Sequence, residues 1–103
     1  MPETQWDRTI KLVGEDKVNI LKGKTVAVFG LGGVGGYVCE ALARAGVGHL
    51  VLIDHDTINV TNINRQIIAL HSTIGQKKTD AFYKRLKDIN PDIKSPPYLI
   101  HIL

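Results

Sequence analysis

Glycine at positions 30, 32 and 35 gives G-x-G-x-x-G, the spacing at which a chain turns sharply and brings its backbone up to a phosphate. The first glycine permits the tight turn, the second the close approach, and the third lets the following helix pack on the preceding strand. Asp54 stands 24 residues after Gly30, where a carboxylate at the end of a second strand accepts hydrogen bonds from ribose hydroxyls. Asp56 follows two residues on, and the pair could help hold Mg²⁺ alongside phosphate oxygens. To this point a dinucleotide dehydrogenase and an ATP enzyme are equally served. The segments Asn62-Ile-Asn64-Arg65-Gln66 and Gly75-Gln76-Lys77-Lys78 separate them. A guanidinium fork at Arg65 and an ammonium at Lys78 suit the extra charge of a triphosphate that is about to lose pyrophosphate. The plain alternatives are a surface ion pair for Arg65 and a helix-face lysine for Lys78.

These residues need elements to hold them. Residues 24–29 form a short β-rich run without alternation, the character of a strand buried on both faces in a parallel sheet. Beyond the glycines, Val34, Val38, Leu42 and Ala45 recur at helical spacing and Gly46 closes the helix. Residues 50–54 read as a second buried strand, so 24–54 is one βαβ unit. Residues 55–74 are polar, irregular and too long for a plain connector, which marks them as functional. A helix is expected over 76–89 with Phe82, Leu86 and Ile89 on one side, ended by Asn90-Pro91, and a third strand is possible within 92–103. Ahead of the unit, 14–22 reads as a short helix with Val18 and Leu21 on one face, while 1–13 resists assignment. The expected architecture is α/β: one domain over 1–103, with a Rossmann-like parallel sheet and flanking helices, amounting to the N-terminal half of a doubly wound fold. Its parts are a helical lead (1–23), the βαβ core (24–54), a phosphate-clamp loop and helix (55–91), and the possible third strand.

Composition excludes other classes. The chain has 103 residues, 44% hydrophobic and 22% charged, ordinary globular usage that rules out a disordered tail, a collagen-like repeat and a coiled coil. Its apolar runs are strand-sized, with neither a membrane span nor a signal peptide expected, so the expected compartment is the cytoplasm. Net charge is +3, and five cations (Lys77, Lys78, Lys84, Arg85 and Lys87) crowd one segment, read as a solvated helix face or a site for an anionic partner. One cysteine, Cys39, excludes an internal disulfide and a Cys-rich zinc site, and its place on the helix's apolar side marks it as buried rather than nucleophilic. The four histidines show no metal-ligand spacing, and no residue is assigned as a dedicated metal ligand.

GLGGVG at 30–35, LIDHD at 52–56, TNINRQ at 61–66 and GQKK at 75–78, in this order, resemble the ubiquitin-activating-enzyme-like adenylyltransferases of the ThiF/MoeB/HesA superfamily. VNILKGKTVAVFGLGGVGG, EALARAGVG and NRQIIALHSTIG followed by DINP are most similar to the tRNA threonylcarbamoyladenosine dehydratases. The resemblance implies an enzyme that binds ATP·Mg²⁺ and adenylates a carboxylate, the dehydratases then losing AMP as the threonyl carboxylate cyclises on the modified tRNA base. It implies that Gly32 and Gly33 line the phosphates, Asp54 holds the ribose, and Asn62, Arg65 and Lys78 meet the triphosphate with Gln66 in support. It further implies a homodimer in which Arg8 serves the partner's ATP. In the family the Mg²⁺-binding aspartate and the acceptor site belong to later strands, so the chain is expected to be an N-terminal portion. The other readings are activation of a ubiquitin-like sulfur carrier's C-terminal glycine, a non-catalytic nucleotide-binding remnant, and an NAD-dependent dehydrogenase, which Arg65 and Lys78 disfavour.

Overall fold

The computed structural model of the chain describes residues 3–94 and the backbone of residues 97–98. Two short helices lead. Helix α1 (Asp7–Val13) begins where Thr4 Oγ1 donates to Asp7 Oδ1 at 2.7 Å, and α2 (Glu15–Lys22) follows across Gly14, whose φ of 92° breaks the helical path. Helix α1 buries no residue, so no apolar stripe in the sequence announces it. In α2 Val18 is buried and Leu21 packs against the core, as their spacing predicts.

Strand β1 (Thr25–Phe29) leads through a glycine turn into helix α3 (Gly33–Ala45), and strand β2 (His49–Ile53) returns parallel to β1, Thr25 opposite His49 and Phe29 opposite Ile53. Helix α4 (Lys78–Ile89) follows a long loop, and β3 (Pro97–Tyr98) pairs parallel with β2. Lys94 adds an isolated parallel bridge to His49, and residues 95–96 and 99–103 of the possible third strand lie outside the described residues. The order β1-β2-β3 is one half of a doubly wound sheet. Between helices and sheet lies a core that includes Val28, Leu31, Leu50, Leu52, Ile58, Phe82, Leu86 and Ile93. No helix among the described residues is long and apolar enough to cross a membrane.

Two expectations need correction. Strand β1 is not buried on both faces: only Val28 is buried, and Phe29 is 68% exposed. It stands at the sheet margin, with nothing paired to its outer edge among the described residues. In α3 the stripe of larger apolar side chains does not mark the packed face. Val34 is 81% exposed, while Gly36, Cys39 and Ala43 are buried. Small residues win this face because the helices approach too closely for larger ones: a Cβ on Gly36 would stand 2.9 Å from the Phe82 ring. Cys39 is fully buried, as expected, and burial pushes its thiol up to about 12.

Helices α3 and α4 are also braced by charge. The buried Glu40 accepts from Arg85 Nε at 2.7 Å and Nη2 at 3.0 Å, and from Arg44 Nη2 at 2.9 Å. The crowded cations of 77–87 are therefore no uniform solvated face, since Arg85 belongs to this brace and Lys78 is buried. The Arg85 guanidinium, seconded by Arg44, holds the Glu40 carboxyl below its ordinary value. Such a group stabilises the fold fully above the unfolded value and loses that contribution as pH falls through the folded one. Glu40→Gln should therefore cost about 1–3 kcal/mol at pH 7, and the gap from wild type should narrow as pH falls below the ordinary glutamate range. Urea melts at pH 7 and below that range check this; a gap independent of pH would show that the brace acts by packing alone.

Candidate functional site

The last residues of β1 and β2, Phe29 and Ile53, open onto a cavity of about 470 Å³. This is the carboxyl end of a parallel sheet, where doubly wound folds place their ligands. The glycine turn forms one wall. Gly30 has φ 90°, and its N–H donates to Ile53 O at 2.8 Å, tying the turn to β2. A Cβ on Gly35 would fall 1.8 Å from Gly30 O, so the third glycine is dictated by helix–strand approach, as the motif predicts. At Gly33 a Cβ would meet nothing within 4 Å, so its glycine answers no packing demand in this chain.

Asp54 is 9% exposed and fixes this geometry. Its Oδ2 accepts from Leu31 N and its Oδ1 from Asp56 N, both at 2.7 Å. The carboxylate thus clamps the glycine turn to the loop after β2, a task the sequence reading did not give it. Each oxygen keeps one further lone pair for a ligand. Asp56 is exposed, with His55 Nε2 3.3 Å from its Oδ1. Ligating atoms of Asp54, His55 and Asp56 lie within 4.8 Å of one another. Phe29 and His55 line the cavity although the sequence reading passed over them; their places at and beyond the strand ends were the available signal.

The long loop brings Lys78 back to this point. After Asp56, a 3-10 turn (Val60–Asn62) begins a run of turns, and the returning chain pairs with the departing one: Ile58 N donates to Gln76 O and Gly75 N to Ile58 O, both at 2.8 Å. Thr57 and Lys77 form an antiparallel bridge, and Lys78 N donates to Asp56 O at 3.0 Å. Lys78, not the exposed Lys77, therefore enters the cavity; it is buried, its Nζ 3.9 Å from Asp56 Oδ2. Lys78 opens α4 as Gly32 caps α3, so two helix N-termini border one cavity and both favour an anion there. Gln66 also lines it, 7% exposed, with Oε1 lacking any partner among the described residues.

The remaining assigned residues stand apart. Asn62 Oδ1 accepts from Asn59 N at 2.8 Å in a capping box, which uses the side chain to shape the loop. Arg65 is exposed, its Nη1 donating to Thr61 O at 3.1 Å and Asn64 Oδ1 at 2.8 Å. Arg8 lies on α1 in a cleft formed by residues 3–11, away from the cavity. The structure thus brings together Gly30, Gly32, Asp54, Asp56, Gln66 and Lys78 in the cavity lining, and leaves Gly33, Gly35, Asn62, Arg65 and Arg8 outside it.

Similarity to known proteins follows the same lines. The chain is 49% identical over 88 residues to tRNA threonylcarbamoyladenosine dehydratase of Bacillus subtilis, covering 85% of this chain and 35% of that protein. It is 41% identical over 95 residues to molybdopterin-synthase adenylyltransferase of Salmonella typhimurium, covering 90% and 38%. The crystal structure of Escherichia coli tRNA N6-threonylcarbamoyladenosine dehydratase in complex with ATP superimposes with a TM-score of 0.87 at 37% identity, over 93% of this chain and 40% of that one. The chain therefore spans between a third and two fifths of the length of these relatives. The family model of the ThiF family matches residues 6–100, nearly the whole chain, and the chain belongs to that family.

Proposed function

We propose that this chain forms the ATP-binding part of an enzyme that adenylates a carboxylate, acting as a tRNA threonylcarbamoyladenosine dehydratase. The observation that carries the reading is the cavity in which a buried lysine and two helix N-termini face a carboxylate-clamped glycine turn. Such a site offers positive potential to phosphates and a fixed acceptor to a ribose. The identity to the Bacillus subtilis dehydratase supports tRNA as the acceptor, and a tRNA substrate would place the enzyme in the cytoplasm. The second reading, adenylation of a ubiquitin-like carrier's C-terminal glycine, is supported by the likeness to molybdopterin-synthase adenylyltransferase.

In this reading a carboxylate oxygen attacks the α-phosphorus of ATP, a P–O bond forms, and pyrophosphate leaves with the electron pair of the α–β bridge. The Lys78 ammonium offsets the charge that develops on the leaving group. Arg65 joins it by giving up its contacts with Thr61 and Asn64, and Asn62 holds the loop that carries it. Gly32 and Gly33 admit the phosphates to the start of α3, and the unpartnered Gln66 Oε1 takes a donor from the nucleotide. The exposed carboxylate of Asp56 fits Mg²⁺, which prefers a carboxylate or two plus phosphate oxygens; when bound, the ion neutralises phosphate charge. Asp54 suits that role less, because each oxygen already takes an N–H. Arg8 does not line its own cavity, and in this reading it serves a partner's site in a homodimer.

Calorimetry of the chain with ATP·Mg²⁺ and with NAD tests the reading. ATP should bind more tightly, because the Lys78 charge is matched by a triphosphate. Equal or tighter NAD binding would replace adenylation by a dehydrogenase reading.

A further inference from the structure

A second cavity, of about 390 Å³, lies at the opposite end of the sheet. Thr25 and His49, the first residues of β1 and β2, form its floor, and Trp6, Lys22, Lys24 and Lys94 stand around it. Asp92 is the sole carboxylate residue in its lining, and among the described residues none of the three lysines forms an ion pair. Positive charge is thus in excess, three lysines to one carboxylate, where three chain segments meet: the end of α2, the start of β1 and the residues leading to β3. The Trp6 ring lies against Gly46, where a Cβ would stand 3.3 Å from it, and remains half-buried at the cavity. His49 Nδ1 is 3.3 Å from Thr25 Oγ1.

We propose that this cavity is a docking point for the sugar–phosphate backbone of RNA, with Lys22, Lys24 and Lys94 neutralising phosphates and Trp6 offering a stacking surface to a base. Unpaired lysines beside an indole match a ligand that alternates anions with aromatic faces; an acidic protein would use the lysines and leave the ring idle. The two cavities are separated by about the length of a five-residue strand, ~17 Å, a span a folded RNA bridges readily. The inference rests on the tRNA reading only for the choice of probe.

The experiment uses the fact that Trp6 is the only tryptophan in the chain. An unmodified tRNA transcript titrated into the protein should quench Trp6 emission in a salt-reversible way, while ATP should leave it unchanged. The triple variant Lys22→Ala, Lys24→Ala, Lys94→Ala should bind the transcript at least about tenfold more weakly in low salt and lower the slope of log K against log salt by about 2–3. All three lysines are exposed, so the variant should keep its fold, which circular dichroism checks. Trp6→Phe should retain more affinity than Trp6→Ala. RNA binding that leaves Trp6 emission and the variant's salt slope unaltered would overturn the proposal, as would an absence of RNA binding. Polyglutamate quenching Trp6 as strongly as RNA would overturn it in favour of an acidic protein. Loss of ATP binding in the calorimetric test, with RNA docking intact, would remove the adenylation reading and leave this one standing.

Discussion

Gly48→Ala should remove more than half of the chain's stability and lower its melting temperature steeply. A Cβ at this position would fall 1.8 Å from the carbonyl oxygen of Lys22 and 2.7 Å from its carbon. Both are backbone atoms, and they cannot step aside independently: Gly48 N donates to Leu21 O at 3.1 Å, and Lys94 N donates to Gly48 O at 2.9 Å. Relief therefore requires the end of α2 to part from the start of β2. Overpacking against mobile side chains costs about 1–3 kcal/mol, and against fixed backbone the cost lies at or above the top of that range. A small domain has about 5 kcal/mol to lose. Gly35→Ala, with the same 1.8 Å clash against Gly30 O, should behave alike. Gly33→Ala is the control: with no atom within 4 Å of its Cβ, it should melt no lower than wild type, yet bind ATP more weakly because the methyl enters the phosphate path. Thermal melts followed by circular dichroism rank the three. A Gly48→Ala variant as stable as wild type would mean that these segments pack less closely than the structure has them.

Lys78→Met should separate stability from function. Lys78 is 5% exposed, and its nearest carboxylate, Asp56, is 3.9 Å away and largely in water. The ammonium is therefore desolvated with little in return, and a methionine of similar length removes that cost. The variant should melt at or above the wild-type temperature. Its ATP affinity should fall by about 1.5–3 kcal/mol, some ten- to hundredfold, the worth of hydrogen bonds to a charged group. In an enzyme carrying this segment, turnover at saturating ATP should fall further, by about 10²–10³, because charge on the departing pyrophosphate develops only in the transition state. Unchanged ATP affinity would return Lys78 to the rank of a helix-face lysine.

The parts of this fold written in backbone chemistry were legible in the sequence. Gly30 and Gly35 have one physical explanation each, a positive φ and a close approach, so their spacing located turn, strand and helix together. Phe82 and Leu86 are large enough for their period to mark the buried face of α4. The face of α3 was illegible for the opposite reason: periodicity weighs side-chain size, and this helix buries Gly36 and Ala43 because they are small. Pairwise polar matches were also hidden. Glu40 and Arg85 are 45 residues apart, and nothing local to either announces the other. Asn62 and Arg65 show a subtler gap, since residue type states what a side chain can bind but not that neighbours within its own loop already hold it.

The position of β1 has a consequence for what can be added beside it. Thr-Val-Ala-Val-Phe carries no charge, no proline and no bulge, the devices by which marginal strands discourage pairing, and only Lys24 before it supplies one. Its composition is that of an interior strand, yet its outer row of N–H and C=O groups meets no other strand among the described residues. In a doubly wound sheet that row is where the second half of the sheet joins. Covering β1 with a further strand, rather than tightening the core, is what would remove this template for pairing.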